Sequence, residues 1–175
     1  RPALDGCVPP CGPVLPPPPA SARHTHPDVL RNATAEVHGN PEQIPHSESY
    51  TGNVETLGPR KGYEEGKRVA ETLFGLYAEK YGVRARIVRV FNTYGPGMCI
   101  TDTRVVPSFI RLALQGKPLG VYGEGVQTRC HTYAADMVRG VRAAMAKGPP
   151  GRAYTLGSDK QVTVIDLAAP MVRLP

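Results

Sequence analysis

The stretch 62–81, followed at once by an apolar run, constrains this chain more than any other feature. Val69, Ala70, Leu73, Leu76 and Tyr77 recur at the i, i+3, i+4 spacing that predicts an amphipathic helix. Gly82 stands just past its end, where a left-handed residue is wanted. Val83 to Phe91 then reads as a strand, with Ile87, Val88 and Val90 apolar. A helix that returns to a strand through a short glycine turn is the repeating unit of α/β folds.

The rest of the chain continues that alternation. Residues 32–39 read as a strand end entering a loop, and 40–61, with Asn40-Pro41, Gly52 and Gly58-Pro59, as loop. Asn92 to Pro96 closes the strand with a turn. A second helix is expected over 105–115, where Pro107 suits the first turn and Gly116 the stop. Leu119–Tyr122 and Val126–Tyr133 read as short strands about a turn at Gly123-Glu124-Gly125. Ala134–Ala146 reads as a third helix with Met137, Val138, Val141 and Met145 on one face. Ala153–Leu156 reads as a further strand. Thr163 opens a last helix, with Asp166 three residues on as a variant capping box. No internal repeat is visible.

Nine of the 19 prolines fall in the first 27 residues, which sets that stretch apart from the rest. Proline fixes φ and removes a donor, so residues 1–31 are expected to be a disordered arm and 32–175 the folded domain. Cys7, Cys11, His24 and His26 approach a zinc-finger spacing, but the last gap is too short and no apolar core lies between them. No metal site is expected. Four cysteines in 175 residues are too few for a disulfide scaffold and suit reduced thiols in a cytosol-like compartment. No apolar run reaches membrane-span length. Any leader or anchor would lie upstream of Arg1. The net charge of +6 is scattered, with no block of five like charges. With no aromatic-rich strand for stacking bases, a diphosphate ligand fits it better than nucleic acid.

The chemistry centres on Tyr63 and Lys67. At i, i+4 on the first turns of the best helix they project from one face. An ammonium beside a phenol favours the phenolate, and such a phenol can take and return a hydroxyl proton while a hydride moves at the same carbon. The lysine also suits ribose hydroxyls. Spacing alone does not separate this from a solvated helix face.

The surroundings do. Gly58-Pro59-Arg60-Lys61-Gly62-Tyr63-Glu64-Glu65-Gly66-Lys67-Arg68-Val69-Ala70-Glu71 resembles the opening of the corresponding helix in UDP-glucuronate decarboxylases, of the extended short-chain dehydrogenase/reductase type. Arg89 to Pro96, Arg104-Val105-Val106, Gln115 to Leu119 with Tyr122 to Gly125, and Gln127-Thr128-Arg129 resemble that family's later motifs, in order. Upstream, Thr34-Ala35-Glu36-Val37-His38-Gly39 resembles its T-S-E-V-Y-G. The resemblance implies a Rossmann-like α/β fold with NAD as cofactor, incomplete here in its first βαβ half, and a small C-terminal substrate-binding part. It implies decarboxylation of UDP-glucuronate to UDP-xylose through a 4-keto intermediate. It makes Tyr63 the acid/base, Lys67 its partner on the nicotinamide ribose, and Thr34 a hydrogen-bond partner of the C4 oxygen. Glu36 handles the proton near C5, and Arg129 holds the substrate's carboxylate or phosphate. Phe91 joins Tyr63, Lys67 and Thr34 at the cofactor, while Asn92, Arg104, Val105 and Tyr122 line the UDP site. A homodimer through the Tyr63–Lys67 helix is implied as well. So is either a cytoplasmic enzyme or a Golgi form anchored upstream.

The departures are specific. No G-x-x-G-x-x-G turn for the NAD pyrophosphate occurs in the chain, and the family's last helices are incomplete. Ala35 stands for a serine, Gly97 for an arginine, and His131-Thr132 for an aromatic and a polar residue. The expectation is a fragment or divergent member that binds NAD weakly or not at all. A 4,6-dehydratase or 4-epimerase is the second enzyme reading. A non-catalytic partner docking through Leu73, Leu76 and Tyr77 is the third.

Overall fold

The computed structural model describes residues 28–173. Helix α1 (Lys61–Tyr81) carries the chain from strand β1 (Val29–Thr34) to β2 (Ala85–Val90). The two strands pair in parallel from Val29 opposite Ala85 to Thr34 opposite Val90. A third strand, β5 (Ala153–Leu156), adds in parallel to the other edge of β2, giving the order β1-β2-β5. Parallel neighbours need long crossovers, here α1 and the segment that includes α3 (Ala134–Lys147). The core lies on β2: Ala85, Ile87 and Val88 are buried with Ala33 of β1, and Val88 is fully enclosed. The α/β class expected from the sequence holds.

β2 also buries Arg86, which its partners make tolerable. Its Nε donates to the Gly148 carbonyl at 2.6 Å and its Nη1 to Asp28 at 2.7 Å. The two guanidinium groups of Arg86 and Arg84 hold the Asp28 carboxyl below its usual range.

Phe91 alone separates β2 from β3 (Asn92–Tyr94), so the chain leaves one sheet and enters a second directly. That sheet has the order β3-β4-β6, with β4 (Thr128–Tyr133) parallel to β3 and antiparallel to β6 (Gln161–Thr163). Helix α3 starts on the residue after β4 and packs against both sheets. Helices α2 (Val105–Leu114) and α4 (Val164–Met171) pack on each other beyond it. Thr163 caps α4 as expected, its hydroxyl accepting from the Asp166 N–H at 3.0 Å.

Several expectations are corrected. The first strand begins at Val29, three residues inside the expected arm, because those residues find a parallel partner in β2. The reading of residues 1–27, with the Cys7, Cys11, His24, His26 spacing, lies outside the described residues. Asn92–Tyr94 is a strand, not a turn, through its pairing with His131–Tyr133. Leu119–Tyr122 forms no strand, and β6 was not anticipated. Helix α1 ends where expected, on Gly82 at φ 66°, whose N–H bonds the Ala78 carbonyl at 3.1 Å.

The apolar stripe of α1 does not face the sheet. Val69, Leu73, Leu76 and Tyr77 are 49–55% exposed, while Glu64 is buried and Glu71 nearly so. A stripe of this kind ordinarily marks the core side. The inward side is mixed: Phe74 lies 5.9 Å from the Arg31 guanidinium of β1, Arg68 and Glu71 meet partners from other segments, and Glu64 pairs with Arg60 at the N-cap of the same helix.

Candidate active site

Thr34 ends β1 and caps the single 3-10 turn that follows, Ala35–His38. Its hydroxyl accepts from the Glu36 N–H at 3.4 Å. Gly39 closes the turn at φ 62°, where a Cβ would collide with the Asn53 carbonyl. Backbone bonds from Asn53 to the His38 carbonyl (2.8 Å) and from Asn40 to the Asn53 carbonyl (2.9 Å) tie the turn to the following loop. The backbone of Thr34 and Glu36 is thereby held at and just beyond the C-terminal end of β1. That is where open α/β sheets bind their ligands.

Helix α1 begins beside this turn. The Tyr63 ring is half exposed, and the Lys67 ammonium lies 5.6 Å from its centroid. Arg60, the N-cap of α1, reaches back to Glu36 with Nη1 to Oε2 at 2.7 Å. Thr34, Glu36, Tyr63 and Lys67, which the sequence grouped through resemblance alone, therefore stand on two adjoining segments joined by an ion pair.

Two further arginines hold α1 in place. Arg68 donates from Nη1 to the carbonyls of Val37 (2.9 Å) and Thr51 (2.7 Å). Arg89, on β2, forks onto the Glu71 carboxylate at 2.8–3.2 Å. Its Nη1 also lies 3.2 Å from His38 Nε2 and 3.1 Å from the Glu48 carbonyl. With Arg89 as donor, His38 is neutral and accepts at Nε2. Burial first, then the charges of Arg89, His46 and Arg68, pushes the His38 pKa down from 6.5 to about 4. His46 stacks on His38 at 4.9 Å between ring centroids, and Phe91 meets His46 at 5.4 Å. None of Arg60, His38 or His46 was singled out from the sequence. Their signal is contact between segments far apart in the chain, which periodicity does not record.

Phe91 sits at the end of β2 with its N–H on the Leu156 carbonyl at 3.0 Å and its ring close to Gly157. The remaining candidates belong to the second sheet and its helices. Asn92 lies opposite His131 in register, two residues along β4 from Arg129. Arg129 is exposed, with Nη1 on the Thr128 carbonyl at 2.8 Å. Burial and the charge of Arg129 lower the pKa of His131. Arg104 caps α2, immediately before half-buried Val105, and grips the Asp102 carboxylate at 2.9 and 3.1 Å through Nε. Tyr122 is 90% exposed, and its carbonyl accepts from Gln127. No hydrogen bond joins Arg104 or Tyr122 to Arg129 among the described residues. Those residues also hold no group of three metal-ligating side chains, and no helix long and apolar enough to cross a membrane.

Residues 20–157 match the NAD dependent epimerase/dehydratase family. UDP-glucuronic acid decarboxylase 1 of Xenopus tropicalis is 45% identical over 140 residues, which is 80% of this chain and 33% of that protein. UDP-glucuronic acid decarboxylase 6 of Arabidopsis thaliana is 46% identical over 140 residues, 80% of this chain and 40% of that one. The chain thus spans between a third and two fifths of these relatives. Among solved structures, the dTDP-glucose 4,6-dehydratase DesIV of Streptomyces venezuelae with NAD and TYD bound superposes with a TM-score of 0.71 at 28% identity. That alignment covers 82% of this chain and 42% of DesIV. The Bordetella bronchiseptica enzyme WbmF with NAD+ and UDP gives 0.67 at 27% identity, again over 82% of this chain and 42% of its own.

Proposed function

The chain belongs to the NAD dependent epimerase/dehydratase family, and we propose that it carries the acid/base centre of a UDP-glucuronate decarboxylase. One observation carries the reading: Tyr63 and Lys67 stand beside Thr34 and Glu36 at the C-terminal edge of a parallel sheet. The identity of 45–46% to decarboxylases, against 27–28% to the dehydratase and WbmF, supports that reaction over its relatives.

A half-exposed phenol with an ammonium beside it fits the nicotinamide-ribose end of NAD, with Thr34 and Phe91 nearby. When bound, NAD accepts a hydride from C4 of the sugar and later returns it. The chain's own residues move the protons. Tyr63, as phenolate, takes the O4 proton and gives it back when the C4 alcohol re-forms. Lys67 holds the phenolate and a ribose hydroxyl. The Thr34 hydroxyl bonds O4, so the oxygen stays in place while C4 changes from tetrahedral to planar. In the 4-keto acid the bond from C5 to the carboxylate breaks. Its electron pair passes to the ketone oxygen as an enolate, carbon dioxide leaves, and a proton is added at C5. Glu36 governs that proton. Arg129 holds the carboxylate or a phosphate through its fork, and Asn92, Arg104, Val105 and Tyr122 line the UDP side.

The net charge of +6 suits a diphosphate ligand and not nucleic acid. The uncovered face of α1 supports a homodimer. The free thiols of Cys99 and Cys130 suit a reducing, cytoplasmic compartment.

The test is product analysis. The natural polypeptide carrying this chain is incubated with UDP-glucuronate and NAD, and UDP-xylose with carbon dioxide is expected. The similarity to DesIV favours a second reading, and a 4-keto-6-deoxy sugar from a nucleotide hexose, with no carbon dioxide from UDP-glucuronate, would replace the first with it.

A further inference from the structure

Arg60 sits outside every role assigned above, yet it touches both halves of the proposed centre. Its Nη1 lies 2.7 Å from Glu36 Oε2, and its Nε lies 3.8 Å from Glu64 Oε1. Its carbonyl accepts the Tyr63 N–H at 3.0 Å and the Glu64 N–H at 3.1 Å. A continuous chain of bonds therefore runs from the Thr34 hydroxyl through the Glu36 N–H and carboxylate to Arg60, and on to Tyr63. Glu64 is buried at the inner end of that chain and gives the guanidinium a second anchor. The Glu36 side chain is only one-third exposed, and among the described residues no second cation pairs with its carboxylate.

We propose that Arg60 is a positioning residue: it fixes the Glu36 carboxylate relative to Tyr63, so that the group governing the proton at C5 and the group governing the proton at O4 face the same sugar. This rests on the decarboxylase reading. A free glutamate on a short turn samples several rotamers, and misplacement of an acid/base group by about 1 Å costs about a hundredfold in rate. Losing Arg60 leaves Tyr63 on its helix and C4 oxidation intact. The step that Glu36 serves slows. An oxidised sugar with its paired NADH accumulates: the 4-keto acid where the carbon–carbon bond breaks more slowly, the decarboxylated enolate where C5 is protonated more slowly.

The test is a double-mutant cycle in the natural polypeptide: wild type, Arg60→Ala, Glu36→Ala and the pair, with Arg60→Lys as the conservative variant. Arg60→Ala is expected to lower kcat about 10- to 100-fold with KM changed less than about threefold, and to raise the steady-state NADH absorbance. Adding it to Glu36→Ala should cost less than about twofold more, since the residue it positions is gone. Arg60→Lys should recover part of kcat. Where Arg60→Ala does not fold, as judged by thermal unfolding of the ligand-free protein, Arg60→Gln takes its place. Multiplicative losses in the pair, or a raised KM with kcat unchanged, overturn the inference and make Arg60 structural or a direct phosphate ligand. A wild type that forms no UDP-xylose overturns the decarboxylase reading and this inference with it.

Discussion

At the scale of single residues, the groups proposed for chemistry and those that hold them differ in kind. Tyr63 is half exposed and Lys67 partly so, while His38 is 1% exposed. Tyr63→Phe keeps the ring and removes the hydroxyl that would carry the proton. If Tyr63 is the acid/base, kcat for UDP-xylose formation falls at least about 100-fold with little change in KM, measured by product assay. His38 makes a separate prediction. Its folded-state pKa of about 4 lies below the ordinary 6.5, so the folded protein refuses a proton that the unfolded chain accepts. Its contribution is complete above about pH 6.5, is lost as the pH falls from there towards 4, and changes no further below that. The loss amounts to at most about 3 kcal/mol. His38→Gln, which still accepts from Arg89, is expected to flatten the fall in urea stability across that interval. An unchanged slope would place the acid sensitivity elsewhere.

At the scale of elements, α1 is seated by charge. Arg60, Arg68 and Arg89 link it to three segments: the Ala35–His38 turn, which both Arg60 and Arg68 reach, the loop at Thr51 and strand β2. Arg89 and Glu71 are each only 13% exposed, so neither side chain can turn to water when the other is lost. Removing one partner of such a pair leaves an uncompensated charge in the interior. Glu71→Ala is expected to cost about 3 kcal/mol by denaturant unfolding, whereas replacing both residues by methionine is expected to cost much less. Equal losses for the single and double variants would show that the volume of the side chains, and not their charge, seats the helix. The same charges explain what the sequence made readable. The boundaries of α1 follow from its periodicity and from Gly82. Its inward face does not, because Glu64, Arg68 and Glu71 look like solvated residues until Arg60, Val37, Thr51 and Arg89 are brought to them. β3 and β6, three residues each, are too short to show an alternation. They exist only through pairing with β4, and Leu119–Tyr122, which pairs with no strand, forms none.

At the scale of the whole molecule, one feature has no partner among the described residues: the half-exposed row of Val69, Leu73, Leu76 and Tyr77 along α1. Four large apolar side chains, each about half exposed on one helix face, form a surface that monomeric proteins seldom leave uncovered. Tyr63 and Lys67 lie nearer the N-terminus of the same helix, so whatever covers the row also steadies the element that carries the proposed centre. A second copy of α1 packed about a two-fold axis would satisfy both needs, since such an interface sets one patch against its equal. Leu73→Glu with Leu76→Glu puts two like charges on each side of that axis and leaves the inward ion pairs alone. The wild type is expected to sediment as a dimer and the variant as a monomer, with unchanged far-ultraviolet circular dichroism. Because Tyr63 lies on the same helix, the monomer is also expected to lose activity. A variant that stayed dimeric would move the interface off α1, and a wild type that was already monomeric would leave the row to a different partner.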